Sequence, residues 1–360
     1  MPDGHPGFTI TMSRRSRAVI RLRGRRVRAG GAGRDGYGVT RVTRVQSEGG
    51  VPGRLVGVEH PYLETRRLML DSHVRGAHVY RSESGARTVR DWCEEEIARW
   101  PGLVSLPTVS SELGSTRAFR ASGGTGTPVV VLNGTNFNTA SSVEPLRVLS
   151  RDRTVISVDV PGQPGLSCGV RPKAPRTAAY GAWLDEILPQ LTEEPVIVLG
   201  HSLGAAIALA AKPSPLTRAL MLVCPAGLTA AGLTPEVMRA VLPWMIGPRD
   251  SKSTRLLNAM SGPEYVSAGI HPLAPWMTLV GRHCRTSLAP GPLTMECLRP
   301  WSDTPRTVAT GSDDTFFSPA RLHGPARRLL DTDVRVLEGA GHIALHEQPE
   351  RVAELLREFD

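Results

Sequence analysis

The chain lacks any long hydrophobic run, and its cysteines and aromatic residues are few. No apolar stretch approaches the roughly 18 residues that a membrane-spanning helix requires, so the sequence predicts no transmembrane segment. The first residues also lack the apolar core of a secretory signal peptide. The five cysteines lie far apart and form no C-x-x-C pair, which favours free thiols over disulfides or a zinc site. These absences predict a cytoplasmic protein without a membrane partner.

Positive charge is concentrated at the N-terminus. Residues 1–67 hold 14 Arg against 5 Asp or Glu, which accounts for the whole formal net charge of +9. A segment rich in Arg and Gly and poor in aromatic residues cannot bury enough surface to offset the entropy lost on ordering. We therefore predict a disordered tail over residues 1–67. An arm for nucleic acid or for an acidic membrane is the alternative interpretation, but no aromatic interleaving or binding-module pattern supports it, so nucleic acid is not an expected partner.

Residues 75–360 have the pattern of an α/β domain. Continuous apolar strands are predicted at residues 128–132, 154–160, 196–200, 219–224, 306–311 and 333–339. Amphipathic helical patterns separate several of these strands, and PERVAELLREF (349–359) closes the chain as a helix. Buried strands that alternate with helices predict a mostly parallel, doubly wound sheet with helices on both faces.

The alternation stops between Pro225 and Pro305. This segment shows no strand pattern and contains many prolines, with Trp244, Trp276 and Trp301 among short helical pieces. An insertion of this size between two strands predicts a helical cap over the strand ends, at about residues 226–304. Its Trp and Met residues hint at an apolar substrate, although simple packing within the cap also accounts for them.

A serine lies at the junction of a predicted strand and a predicted helix. Residues 200–204, Gly-His-Ser-Leu-Gly, fit the pattern G-x-S-x-G. A sharp strand-to-helix turn needs both glycines, because side chains there would collide with the neighbouring strand and helix. Such a turn exposes the Ser202 hydroxyl near backbone N–H groups of the helix N-terminus, so we predict that Ser202 is a nucleophile. The alternative is a tight turn that happens to contain serine.

A nucleophilic serine needs a base, and the base needs a carboxylate. His342 follows the last predicted strand in Gly-Ala-Gly-His, whereas His201 lies inside the turn, where its ring packs or faces solvent. Asp313 and Asp314 follow the preceding strand, which gives the chain order Ser, Asp, His. We favour Asp314, with Asp313 as the fallback.

An oxyanion intermediate needs two hydrogen-bond donors. One predicted donor is the backbone N–H of Leu203, directly after the serine. The other is the N–H of Thr135 in the loop Asn-Gly-Thr-Asn-Phe-Asn (133–138), where a glycine permits close approach of the backbone. An ordinary Asn/Gly turn is the alternative for this loop.

Over roughly residues 75–360 the sequence resembles the α/β-hydrolase superfamily. Four motifs in order carry the resemblance: NGTNF (133–137), DVPGQPGLS (159–167), GHSLG (200–204), and GSDD (311–314) with GAGHIALHEQPE (339–350). The resemblance implies a mostly parallel sheet with a mobile cap and no cofactor or metal. It also implies that Ser202, Asp314 and His342 are nucleophile, acid and base. Asn133 stands where many relatives have histidine.

These features together predict a serine hydrolase that cleaves a carboxylic ester of a small or medium apolar substrate through an acyl-enzyme. The expected partners are this ester and water. In related proteins, dehalogenases and epoxide hydrolases use a carboxylate at the turn, so a serine disfavours those reactions. Hydrolysis of a carbon–carbon bond or a lactone by the same three residues stays open. A non-catalytic binding protein with the same fold is a further alternative.

Overall fold

The computed structural model describes residues 9–12, 18–22, 25–26 and 75–360, except residues 268 and 288. The chain divides into two units, residues 1–65 and 66–360. In the first unit, three short antiparallel strands are described: β1 (Thr9–Met12), β2 (Ala18–Leu22) and β3 (Arg25–Arg26). Most of the predicted disordered tail, residues 1–67, lies outside the described residues.

The second unit is built on an eight-stranded sheet. Its strands and those of two small sheets are β4 (Arg75–His78), β5 (Leu103–Ser105), β6 (Val109–Ser111), β7 (Gly114–Thr116), β8 (Ala118–Ala121), β9 (Gly126–Leu132), β10 (Arg153–Val158), β11 (Val170–Pro172), β12 (Val196–His201), β13 (Thr217–Val223), β14 (Arg306–Gly311) and β15 (Val334–Leu337). The main sheet has the order β15-β14-β13-β12-β9-β10-β8-β5. The first six of these strands are parallel, and β8 runs antiparallel to both of its neighbours. The mostly parallel sheet is as predicted, and its six parallel strands are the six predicted from the sequence.

Helices cover both faces of this sheet. They are α1 (Glu83–Ala98), α2 (Val143–Leu149), α3 (Arg176–Leu191), α4 (Leu203–Ala210), α5 (Pro235–Ile246), α6 (Asp250–Asn258), α7 (Ala274–His283), α8 (Met295–Leu298), α9 (Pro319–Leu330), α10 (Ala344–Glu347) and α11 (Pro349–Arg357). Alternate side chains of β9 enter two different cores: Val130 and Leu132 pack with α3, α4 and α9, and Val129 and Val131 pack with α2 and α11. Because side chains alternate along a strand, apolar residues at every position produce these two cores.

The segment between β13 and β14 contains α5 to α8 and no strand of the main sheet among its described residues. We call this segment, residues 224–305, the insertion; it includes the residues for which a cap was predicted. Trp244 and Trp276 are buried in a third apolar cluster, which joins the insertion to α1. Within the described residues, none of the helices combines the length and the apolar character needed to cross a bilayer.

Candidate active site

Ser202 is the single residue between β12, which ends at His201, and α4, which begins at Leu203. Its backbone has φ 51° and ψ −108°, in the positive-φ region that residues other than glycine rarely occupy. The surrounding backbone holds this conformation, since the Ser202 N–H donates to the Val223 carbonyl at 3.0 Å. The side chain is therefore presented at the carboxyl edge of the sheet and is 5% exposed.

The glycines on either side of Ser202 are required by close contacts. A Cβ atom on Gly204 would lie 2.0 Å from the Leu132 carbonyl oxygen, and one on Gly200 would lie 2.4 Å from the Ala205 nitrogen. Both distances are far below van der Waals contact and involve backbone, which cannot move aside cheaply. The same collisions are the reason why the G-x-S-x-G motif predicts a strand-to-helix turn.

The structure brings Ser202, His342 and Asp314 into one hydrogen-bonded line. His342 Nε2 lies 3.1 Å from Ser202 Oγ, and His342 Nδ1 lies 3.0 Å from Asp314 Oδ2. Ser202 follows β12, Asp314 follows β14 and His342 follows β15, so the carboxyl ends of three parallel strands of the main sheet supply the three residues. Asp313, the fallback acid, is exposed and accepts a hydrogen bond from the Ser312 hydroxyl at 2.7 Å.

Asp314 is 2% exposed and accepts several hydrogen bonds besides the one from His342. The backbone N–H groups of Phe316 and Phe317 donate to Oδ1 at 2.8 and 2.9 Å, and the Thr310 hydroxyl donates to Oδ2 at 3.1 Å. Burial by itself raises the pKa of this carboxyl, but His342 and the two N–H groups outweigh it and lower the pKa to about 2. An ionised Asp314 favours the His342 tautomer with hydrogen on Nδ1, which leaves Nε2 free to accept the serine proton.

The loop that carries His342 is tied to the insertion. The His342 N–H donates to the Met260 carbonyl at 2.6 Å. The Glu347 carboxylate accepts from the N–H groups of Gly341 and Gly262, at 2.9 and 2.8 Å, and so joins the two segments a second time. The position of the histidine therefore depends on residues of the insertion as well as on the sheet.

The loop at residues 133–138 lies beside the serine. A Cβ atom on Gly134 would be 3.4 Å from the Ser202 Cβ atom. The N–H groups of Thr135 and Leu203, the predicted oxyanion donors, bond to no protein acceptor among the described residues. N–H groups without protein acceptors, one in this loop and one directly after the serine, are suited to a developing oxyanion.

Contacts from two directions hold this loop in place. Asn136 has φ 68°, its carbonyl accepts from Trp276 Nε1 at 2.8 Å, and its N–H donates to the Gln163 side chain at 3.1 Å. Trp276 belongs to the insertion, and Gln163 belongs to the DVPGQPGLS motif. The sequence predicts the loop but not its contacts with Trp276 and Gln163, because no local pattern links residues so far apart.

Two histidines that the sequence analysis does not assign to catalysis, His201 and His346, are buried near the site. His201 Nε2 lies 2.8 Å from the His342 carbonyl oxygen, and burial, together with the nearby His342, lowers its pKa to about 3. His346 Nε2 lies 3.3 Å from the Ser142 hydroxyl, and burial lowers its pKa to about 4. The sequence leaves open whether the His201 ring packs or faces solvent, and in the structure the ring is packed and buried. Both rings are uncharged near neutral pH and support the site as neutral groups.

Cys224 is a further neighbour that the sequence did not single out. It follows β13 with φ 48°, and ligand atoms of Cys224, Asp314 and His342 lie within 4.8 Å of one another. Within the part of the chain that the structure describes, this is the one group with spacing suited to a metal ion. Two of the three members already share a direct hydrogen bond. Burial, followed by the nearby Asp314, raises the pKa of the Cys224 thiol well above its usual value, so the thiol is neutral.

Comparison with known proteins identifies the family. Residues 129–355 match the family model described as the alpha/beta hydrolase family, so the chain belongs to this family and is a hydrolase. The match includes every predicted site residue from Thr135 to His342. The predicted superfamily, the fold class and the prediction that the protein is a hydrolase are confirmed.

Solved structures share the fold at low sequence identity. Naproxen esterase of Bacillus subtilis is 19% identical, with a TM-score of 0.60 over 78% of this chain and 100% of that chain. Carboxylesterase CesB, also of Bacillus subtilis, is 18% identical, with a TM-score of 0.59 over 77% and 98%. A Rhodococcus esterase is 20% identical, with a TM-score of 0.54 over 72% and 98%. No curated protein matches the sequence. At these identities the structural likeness establishes the fold alone.

Proposed function

We propose that the protein is a cytoplasmic serine hydrolase that cleaves a carboxylic ester of a small or medium apolar substrate through an acyl-enzyme. The observation that carries the proposal is the line of hydrogen bonds from Ser202 through His342 to Asp314, at 3.1 and 3.0 Å. The esterase names of several proteins with the same fold also favour an ester as substrate.

In the proposed reaction, Ser202 Oγ attacks the ester carbonyl carbon while its proton passes to His342 Nε2. The buried Asp314 carboxylate stabilises the imidazolium, and the N–H groups of Leu203 and Thr135 hold the negative oxygen. Collapse of this intermediate releases the alcohol, which takes the proton from His342. A water molecule then loses a proton to His342 and attacks the acyl-enzyme, and breakdown of this second intermediate releases the acid while His342 returns the proton to Ser202 Oγ.

Lactone opening or carbon–carbon hydrolysis would use the same three residues and remains the alternative activity. A non-catalytic binding protein has no need of a buried carboxylate aimed at a histidine that in turn contacts a serine. The pKa of Asp314, held at about 2, fits a carboxylate whose task is to face a developing positive charge.

Chromogenic esters of graded acyl length test the proposal directly. The wild-type protein should hydrolyse the short and medium esters, and Ser202→Ala should lose this turnover. Ser84→Ala is a matched control, because Ser84 is exposed on α1. Wild-type turnover by Ser202→Ala would contradict the proposal. Lactone and β-diketone substrates in the same series separate the alternative reactions, since faster turnover of either would displace the ester.

A further inference from the structure

Helix α5 carries apolar side chains on two opposite sides. Its inner side buries Val237, Ala240 and Trp244. Its outer side presents what we call the α5 stripe, consisting of Met238, Leu242, Met245 and Ile246, which are 37%, 52%, 51% and 86% exposed. The spacing of four and three residues places Met238, Leu242 and Met245 on one helix face. A surface helix ordinarily shows polar residues on that face, so the α5 stripe marks a contact surface.

Positive charge borders the C-terminal end of this stripe. Three cationic side chains lie there, Arg249, Lys252 and Arg282, against one exposed acid, Asp250, so the net charge is positive. A Cβ atom on Gly247, next to Ile246, would be 3.1 Å from the Lys252 ammonium nitrogen, and Arg282 donates to the Pro248 carbonyl at 3.2 Å. None of these cations forms an ion pair within the residues that the structure describes.

Aliphatic side chains beside cations that form no ion pair match an anionic lipid surface. The stripe itself carries no charge, and the side chains at its C-terminal end carry a net positive charge. Its side chains are able to enter the boundary between headgroups and acyl chains, while the cations meet anionic headgroups. We propose that the α5 stripe, with Arg249, Lys252 and Arg282, docks the protein on an anionic lipid surface. This is a peripheral contact that requires no membrane-spanning helix, and it revises the expectation from the sequence that the protein has no membrane partner.

The inner side of the same helix connects the stripe to the candidate active site. Trp244 Nε1 donates to the Met277 carbonyl at 3.1 Å. Trp244 also packs in one cluster with Phe137 of the loop at residues 133–138 and with Ile343, the neighbour of His342. Docking would therefore set the lipid surface against a helix that packs with the loop at residues 133–138, and we infer that the substrates are apolar esters presented at that surface. This last step rests on the proposed function, whereas the docking itself does not.

Vesicle sedimentation of the full-length chain tests the docking. The vesicles are phosphatidylcholine alone or an equimolar mixture with phosphatidylglycerol, and the salt concentration is high enough to screen the arginines of residues 1–67. Wild-type protein should sediment with the mixed vesicles at high salt, and the pair Leu242→Gln with Ile246→Gln should weaken this binding tenfold or more. Val104→Gln is the matched control, since Val104 is 60% exposed on the edge strand β5, outside the insertion. The control should bind like wild type.

The charged part of the surface has a separate test. At low salt, Lys252→Gln should weaken binding to the mixed vesicles about fivefold, the contribution of one cation near an anionic surface, and leave binding to phosphatidylcholine unchanged. Lys212→Gln is the control for the arginines of residues 1–67, because it loses the same charge at an exposed position outside the insertion and should bind like wild type. Equal effects on both kinds of vesicle would overturn the anionic assignment. Circular dichroism and thermal unfolding should give the same fold and midpoint for all variants.

Three results would overturn the docking proposal. In the first, the wild-type protein does not sediment with the vesicles. In the second, the variant with Leu242→Gln and Ile246→Gln binds as tightly as the wild type. In the third, light scattering shows a wild-type dimer that the same variant does not form, and neither protein binds vesicles. The third would assign the stripe to a second copy of the chain. Hydrolysis of a soluble ester is measured on the same samples, so loss of docking with intact hydrolysis leaves the proposed function standing. Docking without any hydrolysis would refute only the proposed function.

Discussion

Replacement of Asp314 by Asn changes the charge and the hydrogen-bond chemistry of the site while keeping the side-chain volume. Asp314 now accepts from the N–H groups of Phe316 and Phe317, from the Thr310 hydroxyl and from His342. An Asn oxygen that keeps the two backbone bonds turns its NH₂ group toward His342. His342 Nδ1 must then accept, and its hydrogen moves to Nε2, where it blocks transfer of the serine proton.

The expected loss is large in activity and measurable in stability. A wrong histidine tautomer of this kind lowers kcat by about 10⁴-fold. The folded pKa of Asp314 is lowered from 3.8 to about 2. The linked stabilisation of about 2 kcal/mol is therefore complete above pH ~4 and is lost as the pH falls toward ~2. Asp314→Asn removes this part of the acid dependence.

Asp313→Asn is the matched control, because it makes the same change one residue away on an exposed side chain. The assay measures ester turnover by both variants, and the free energy of unfolding by urea denaturation between pH 2 and 5. Asp313→Asn should stay close to wild type in both. A larger loss of kcat in Asp313→Asn than in Asp314→Asn would refute the assignment of the acid.

Three further predictions concern the supports of the site. Gly204→Ala should destabilise the fold by several kcal/mol in urea denaturation, because its Cβ atom would lie 2.0 Å from the Leu132 carbonyl oxygen; an unchanged midpoint would contradict this. Thr135→Pro, which removes one N–H group, should lower kcat about a hundredfold or more, and Thr135→Ser should stay near wild type. The pKa values of His201 and His346 are lowered from 6.5 to about 3 and about 4. The unfolded chain therefore binds protons that the folded chain does not. The free energy of unfolding should fall by about 2 to 3 kcal/mol per histidine between pH ~6.5 and ~4. Replacement of both histidines by Asn should remove this pH dependence, and an unchanged profile would contradict the prediction.

The sequence was informative wherever a local pattern decides the structure. The strand before Ser202, the helix after it and the two glycines are adjacent in the chain, so the turn was predictable from sterics alone. The six parallel strands were predictable because strands buried on both faces are continuously apolar. Their carboxyl ends share one edge of the sheet, which explains why residues as distant as Ser202 and His342 could be paired in advance.

What the sequence could not reveal depends on contacts between distant segments. The support of Asn136 by Trp276 and the anchoring of His342 by Met260 join the insertion to the site. The sequence favours Asp314 over Asp313, but the two differ physically in burial, which two adjacent aspartates do not disclose. The sequence also could not reveal that one apolar face of α5 is exposed, since a helix that is apolar on both sides has the same composition as a buried helix.

The most direct test of the central claim is covalent labelling with a serine-directed fluorophosphonate, followed by mass spectrometry of the proteolytic peptides. The claim is that the surroundings of Ser202 make its hydroxyl reactive. A single adduct on Ser202, absent from Ser202→Ala and strongly reduced in His342→Gln, is the predicted result. An adduct on another residue, or equal labelling of wild type and Ser202→Ala, would contradict the claim.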